Sequence, residues 1–342
     1  MKVVYSDRHA IHDPQFFVVR GQVRRSNEQP ERAARLLAAV ERDGHSIVAP
    51  DDFGGGPRAA VHTPLYLRFL ETAYARWSEL DGAGPEVVGN VHPFPGQPYT
   101  YPESIVGQAG FHLGDMACPI GAGTWEAAAF AAHTACHAAQ LVLDGERAAY
   151  ALCRPPGHHA YPDRANGFCY LNNAAIAAQY LRAAHDRVAI LDIDVHHGNG
   201  TQGIFYRRAD VLTVSLHADP RYTTPFFVGH AHECGEGDGL GYNINRPLAL
   251  GTGDAGYLDV LRQSCADIAA FAPGALVVSL GLDAHERDPY KGLAVTTPGF
   301  ATLLAEIARL GLPTVLVQEG GYLSDDLGLN LSSALRGFAL GA

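Results

Sequence analysis

The chain of 342 residues contains no apolar run near the roughly 20 residues that a membrane-crossing helix needs, which excludes a helical membrane protein. Its first residues, MKVVYSDRHA, carry one lysine and a three-residue apolar run, too little for a secretory signal. Six cysteines, at positions 118, 136, 153, 169, 234 and 265, form no CxxC pair and no dense framework. A disulfide scaffold is therefore not expected, and the thiols read as the reduced cysteines of a cytoplasmic protein. Positive charge is in deficit: 25 Lys and Arg stand against 36 Asp and Glu, a net −11, which argues against a nucleic-acid partner and suits a cationic ligand. There is no internal repeat, low-complexity segment or linker, so a single domain spanning 1–342 is the simplest organisation.

What is present is a well-cored composition, 47% apolar and only 18% charged. From about residue 147 apolar runs alternate with helical stretches. Ala148–Leu152, Val188–Asp194, Val211–Leu216, Ala275–Leu280 and Thr314–Gln318 read as strands. Segments near 172–184, 257–271, 300–310 and 331–338 read as helices, as do 30–43 and 64–77 nearer the start, where Lys2–Tyr5 reads as a short strand. This rhythm predicts an α/β fold with a mostly parallel sheet sandwiched by helices. Residues 85–110, rich in proline, glycine and tyrosine, read as a long structured loop of the kind that serves a site or an interface.

Ligands of open parallel sheets gather outside the carboxyl ends of the strands, and here those ends carry the chemistry. CRPPGHHA brings His158 and His159, DIDVHHGNG brings Asp192, Asp194, His196 and Asn199, GLDAHERDP brings Asp283, and EGGYL brings Tyr322. Continued as a strand, 188–196 places Asp192, Asp194 and His196 on one face, and buried carboxylates need a compensating partner. Asp194, His196 and Asp283 supply a hard N/O donor set for Zn2+ with positions left open for water and substrate. The D-x-H spacing alone fits a turn cap beside a surface histidine equally well; the convergence of four strand ends favours the metal. Beside it, the tandem histidines suit general base and acid roles, with Asp192 orienting one and Asn199 the other. Tyr322 suits donation to a developing oxyanion, and Gly320 and Gly321 before it let the backbone approach a substrate.

These motifs, with GFCYLNNAA and SLH between them, resemble the histone deacetylase superfamily along nearly the whole chain, and PERAARLLAAV and PIGAGTWEAA resemble its bacterial acetylpolyamine amidohydrolase branch. The resemblance implies an arginase/deacetylase-like fold, Zn2+ on Asp194, His196 and Asp283, and catalysis by His158, His159 and Tyr322. It also implies a structural K+ held by Asp192, Asp194, His196, Ser215 and Leu216, with a second monovalent site at Phe205, Arg208, Val211 and Tyr242. Gly167, Phe168 and, opposite them, Phe227 match the walls of the acyl tunnel. The loop 85–110 matches an insertion that makes a homodimer and narrows the active-site mouth. The implied substrate is a small N-acetylated amine such as an acetylpolyamine.

Departures bear on that substrate. DAHERDPYKGL is closer to a class II deacetylase loop, and Val106 and Ala117 stand where some polyamine enzymes carry acids, although Glu103 and Asp115 lie nearby. A broad acetyl-lysine amidohydrolase is therefore the alternative. A binuclear-manganese ureohydrolase would need D-x-H-x-D, and Gly198 occupies the last position. A non-catalytic acyl-amine binding protein would require loss of a ligand, a tandem histidine or the tyrosine, and all are present.

Overall fold

The computed structural model describes residues 1–94, 96 and 98–341; positions 95 and 97 of the 85–110 segment lie outside the described residues. In chain order the strands are Lys2–Val4 (β1), Phe17–Val19 (β2), Gln22–Arg24 (β3), Ser46–Val48 (β4), Ala148–Ala151 (β5), Val188–Asp192 (β6), Val211–Ala218 (β7), Asn243–Leu248 (β8), Ala275–Leu280 (β9) and Thr314–Gln318 (β10). The α-helices are Pro30–Arg42 (α1), Gly56–Ala59 (α2), Pro64–Ser78 (α3), Ile105–His112 (α4), Thr124–Leu143 (α5), Asn173–Leu181 (α6), Asn199–Phe205 (α7), Asp254–Phe271 (α8), Thr297–Ala308 (α9) and Leu327–Gly341 (α10).

Eight strands form one sheet in the order β4-β1-β5-β10-β9-β6-β7-β8, and every neighbouring pair is parallel. Alternation along the strands divides the core into two layers. Leu191, Val278, Leu280 and Leu316 face α1, α8, α9 and α10, meeting Leu36, Leu261, Leu303 and Leu335. Val188, Ile190, Val277 and Val317 face the opposite layer, where Phe69 of α3, Ala135 of α5 and Ile176 of α6 pack. The central strands β5, β6, β7, β9 and β10 are buried on both faces, which is why they read as continuous apolar runs. Among the described residues no helix is long and apolar enough to cross a membrane.

Three features differ from the sequence expectation. The longest helix, α5, shows no apolar stripe because thirteen of its twenty positions are buried around its circumference, most of them alanines. The segment 85–110 is a loop only as far as Ser104, whose side chain accepts the Val106 N–H and starts α4. The edge strands β4 and β8 are partly exposed, and β8 carries Asn243, Asn245 and Arg246, so neither shows a continuous apolar signal. The central order matters most for the site: β5, β10, β9, β6 and β7 are consecutive neighbours, so the segments leaving their carboxyl ends share one rim.

Candidate metal centre and active site

Strand β6 ends at Asp192, two residues earlier than expected, and side-chain turns replace pleating beyond it. Asp192 Oδ1 accepts the Asp194 N–H at 3.0 Å, and Asp194 Oδ1 accepts the His196 N–H at 2.9 Å. These i to i+2 bonds coil the chain, so Asp194 and His196 meet through consecutive turns and not through a shared strand face. The loop after β9 adds Asp283, whose Oδ1 accepts the Val195 N–H at 3.1 Å.

Donor atoms of Asp194, His196 and Asp283 all lie within 4.8 Å of one another, and all three residues are buried. His196 Nδ1 is 3.3 Å from Asp194 Oδ1 and 3.4 Å from Asp283 Oδ2. Burial pushes an imidazole down, yet the hydrogen bonds and charges of the two carboxylates raise His196 to about 10. Burial raises Asp194, but His158 and His196 outweigh it and hold the carboxyl well below the usual range; burial and the Asp194 charge push Asp283 up. Among the described residues Asp283 Oδ2 has no well-formed hydrogen bond, its contact with His196 Nδ1 being a long 3.4 Å. Two buried carboxylates, one orphaned oxygen and an imidazole nitrogen fit a divalent metal such as Zn2+. Gly320 is packed against this set: its N–H donates to Asp194 Oδ2 at 2.8 Å, and a Cβ there would overlap Asp283 Oδ2.

The tandem histidines have unequal partners. His158 Nδ1 donates to Asp192 Oδ2 at 2.9 Å, and its Nε2 lies 3.8 Å from Asp194 Oδ1. His159 Nδ1 donates to Asn199 Oδ1 at 2.6 Å, which leaves Nε2 as the basic nitrogen. Burial lowers both rings, but Asp192, Asp194 and Glu319 carry His158 well above the ordinary value. For His159, burial and the charges of His158 and His196 act together and hold it well below.

Tyr322 is buried against Phe168, with ring centroids 5.9 Å apart, and burial pushes its phenol well up, keeping it a protonated donor. Phe17 completes this wall at 5.7 Å from Phe168, with Val19, Ala117 and Tyr290 packed alongside. Phe227, expected as the opposite wall, is 88% exposed and outside this cluster. Gly167 has φ +53, its N–H donates to Asp115 Oδ2 at 2.9 Å, and a Cβ there would run into the His159 ring. The other Asp115 oxygen accepts the Ala117 N–H at 2.9 Å, so this carboxylate is engaged by backbone, while Glu103 is exposed. Gly321, at φ +112, turns its carbonyl toward Arg32.

For the expected monovalent cation, the sheet register sets Asp192 opposite Ser215, and the Tyr257 hydroxyl reaches the carbonyls of Ile193 and Leu216 at 3.3 and 3.5 Å. At the second position the Phe205 carbonyl accepts the Arg208 N–H, and the Tyr242 carbonyl accepts the Thr213 N–H. Val211 opens the neighbouring strand β7.

Three contributors were not anticipated. Arg32 on α1 donates to the carbonyls of Gly321 and Glu319 at 2.6 and 2.7 Å and lies 4.7 Å over the Tyr322 ring. Its signal was an arginine at a core position of a helix whose other buried positions are Ala33, Leu36, Ala39 and Val40. Glu319 Oε2 accepts the N–H groups of Gly157 and His158 at 2.6 and 3.0 Å, fixing the backbone that carries the histidines. Asp288 accepts the N–H groups of Tyr290 and Tyr322. Neither carboxylate has a local sequence pattern that announces its backbone partners.

The chain is similar to known proteins over nearly its whole length. The histone deacetylase domain matches residues 26–338. The acetylpolyamine amidohydrolase of Burkholderia pseudomallei (strain 1710b) is 48% identical over 339 residues, covering 99% of this chain and 98% of that protein. Acetylpolyamine amidohydrolase 1 of Pseudomonas aeruginosa is 44% identical, covering 99% of both chains. A crystal structure of the acetylpolyamine aminohydrolase from Burkholderia pseudomallei superimposes with a TM-score of 0.96 at 48% identity, over 99% of this chain and 98% of that one. The eight-stranded parallel sheet and its helical layers are thus the arginase/deacetylase fold, the family is metal-dependent, and the chain belongs to the histone deacetylase family.

Proposed function

We propose that the protein is a zinc-dependent amidohydrolase that removes the acetyl group from small N-acetylated amines, acetylpolyamines foremost. The observation that carries this reading is the buried Asp194–His196–Asp283 donor set beside two histidines of opposite electrostatic bias. Zinc held there supplies Lewis acidity toward water and the acyl oxygen. His159, neutral with Nε2 free, takes the proton from the attacking water and returns one to the departing amine. His158, held against Asp192, provides a positive charge beside the reacting centre. The Tyr322 hydroxyl donates to the oxygen that becomes negative. The Asp192 and Asp194 carboxylates with the carbonyls of His196, Ser215 and Leu216 would hold K+, which would offset the charge of Asp192, and the carbonyls of Phe205, Arg208, Val211 and Tyr242 would hold a second monovalent ion. Gly198 counts against a binuclear site, because a side chain there would run into Asp192 Oδ2.

The substrate class rests on the names of relatives matched over nearly their whole length. A second reading, a broad acetyl-lysine amidohydrolase, draws on Ala117: an apolar residue packs against the Phe17–Phe168–Tyr322 wall where an acid would greet a polyamine. We read 1–342 as one domain in a cytoplasmic homodimer, with the 85–110 segment at the subunit contact and the mouth. Its exposed Val91, Phe94 and Tyr99 supply apolar surface for such a contact. The test is kcat/KM for acetylputrescine and acetylspermidine beside an acetyl-lysine peptide, with zinc content and solution mass measured on the same sample. Preference for the small amines by a zinc-loaded dimer is expected. Preference for the peptide would move the protein to the second reading, and turnover without metal would end both.

A further inference from the structure

One buried side chain ties the loop after β9 to the loop after β10. Asp288, 2% exposed, accepts the Tyr322 N–H through Oδ2 and the Tyr290 N–H through Oδ1, each at 2.9 Å. Among the described residues its carboxylate makes no ion pair, and those two neutral backbone donors are its hydrogen-bond partners. A carboxylate buried near Asp283 is costly, and burial together with the Asp283 charge pushes it up to about 7 against the pull of those two donors. A carboxylate buried at such a cost meets a structural demand, which its two hydrogen bonds identify.

The demand is the peptide that carries Tyr322. Gly320 and Gly321 precede it, and Gly321 sits at φ +112, so side-chain packing of the two preceding residues cannot fix the direction in which the phenol leaves the chain. The Gly321–Tyr322 peptide is held instead at both poles. Arg32 Nε donates to its carbonyl at 2.6 Å, and Asp288 accepts from its N–H. Asp288 also fixes Tyr290, whose ring stands 4.7 Å from that of Tyr322 and 5.1 Å from that of His196, both near edge-on. Only a carboxylate offers two acceptors here. An asparagine presents one acceptor and one NH2, so one backbone donor would face another donor.

We propose that Asp288 is a positioning residue for the reaction: by holding the Tyr322 N–H it aims the phenol at the oxyanion. This rests on the reading of Tyr322 as the oxyanion donor, and the test separates the two. Asp288→Asn, Tyr322→Phe and the double variant are compared for kcat, KM, zinc content and thermal transition. A misplacement near 1 Å costs about a hundredfold, so Asp288→Asn should lower kcat by about tenfold to a hundredfold, with KM and zinc content close to wild type. In the Tyr322→Phe background the same substitution should cost less than about threefold, because the group it aims is gone. Equal losses in both backgrounds, or a wild-type kcat for Asp288→Asn, would overturn the proposal. A wild-type kcat for Tyr322→Phe would instead overturn the role of the tyrosine, and the aiming role with it. Should Asp288→Asn lose its fold or its zinc, Asp288→Ser, shorter and with one acceptor, replaces it in the same cycle under the same criteria.

Discussion

Gly320→Ala adds one methyl group and tests whether the loop after β10 shapes the metal centre. Backbone strain is not at issue, since Gly320 lies outside the left-handed region that side chains avoid. Space is at issue. A Cβ at Gly320 would overlap Asp283 Oδ2 and stand 2.5 Å from Asp194 Oδ2, whereas ordinary contact begins at 3.4 Å. Asp194 Oδ2 must then withdraw by about 0.9 Å, and Asp283 Oδ2 further, while ligand distances tolerate only about 0.2 Å. The peptide N–H of residue 320 also orients Asp194 Oδ2 at 2.8 Å, and that bond moves with the carboxylate. Changes to groups that merely orient ligands cost about ten- to a hundredfold in metal affinity; displacement of two ligands should cost at least about a hundredfold. The assay is zinc affinity by competition with a chromophoric chelator, with circular dichroism and thermal melting to establish that the sheet is intact. A folded Gly320→Ala protein binding zinc with wild-type affinity would refute the assignment of Asp194 and Asp283 as ligands.

Tyr322→Phe should keep zinc and leave KM little changed while kcat falls by about a hundred- to a thousandfold; a fall of less than fivefold in steady-state kinetics would demote the tyrosine to a wall residue. His159→Ala should be more damaging than His158→Ala, because burial and the charges of His158 and His196 keep His159 neutral whereas Asp192 and Asp194 hold His158 charged; equal residual rates would contradict that division. Acid should destabilise the fold through buried histidines outside the metal site. His62 is pushed down to about 4 by burial, its Nδ1 donating to the Tyr161 carbonyl and its Nε2 accepting the Asn172 N–H, and burial and Arg154 take His9 to about 3. Because the folded values lie below the unfolded one near 6.5, the unfolded chain takes up more protons as pH falls below 6.5. Stability is full above that value and should drop by about 2 kcal/mol per histidine at pH 5. Denaturant unfolding at pH 8 and pH 5, wild type beside His62→Gln, should show a smaller pH effect in the variant, and an equal effect would count against the argument.

Much of the site was legible because it is carried by short stretches at strand ends. Asp192 to Asn199 announces itself by setting carboxylates and histidines directly after an apolar run, and the alternation of strands and helices says that such ends share a rim. Composition excluded a helical membrane span, and the motifs named the donors of the metal centre. What stayed hidden depends on contacts between residues far apart in the chain. Phe17 joins Phe168 and Tyr322 only because tertiary packing brings the β2–β3 hairpin against them, while Phe227 is exposed in a loop whose direction no local pattern encodes. Asp288 and Glu319 look like any acidic loop residues until the fold brings backbone N–H groups to them from elsewhere. Arg32 travels 289 residues along the chain to hold the Gly321 carbonyl. The sequence alone determined which chemical groups are present and the strand ends that carry them, since both follow from residue type and local periodicity. Their aim, their charge state and the walls around them were decided by the tertiary structure, because hydrogen-bond direction and burial are set by neighbours that only folding supplies.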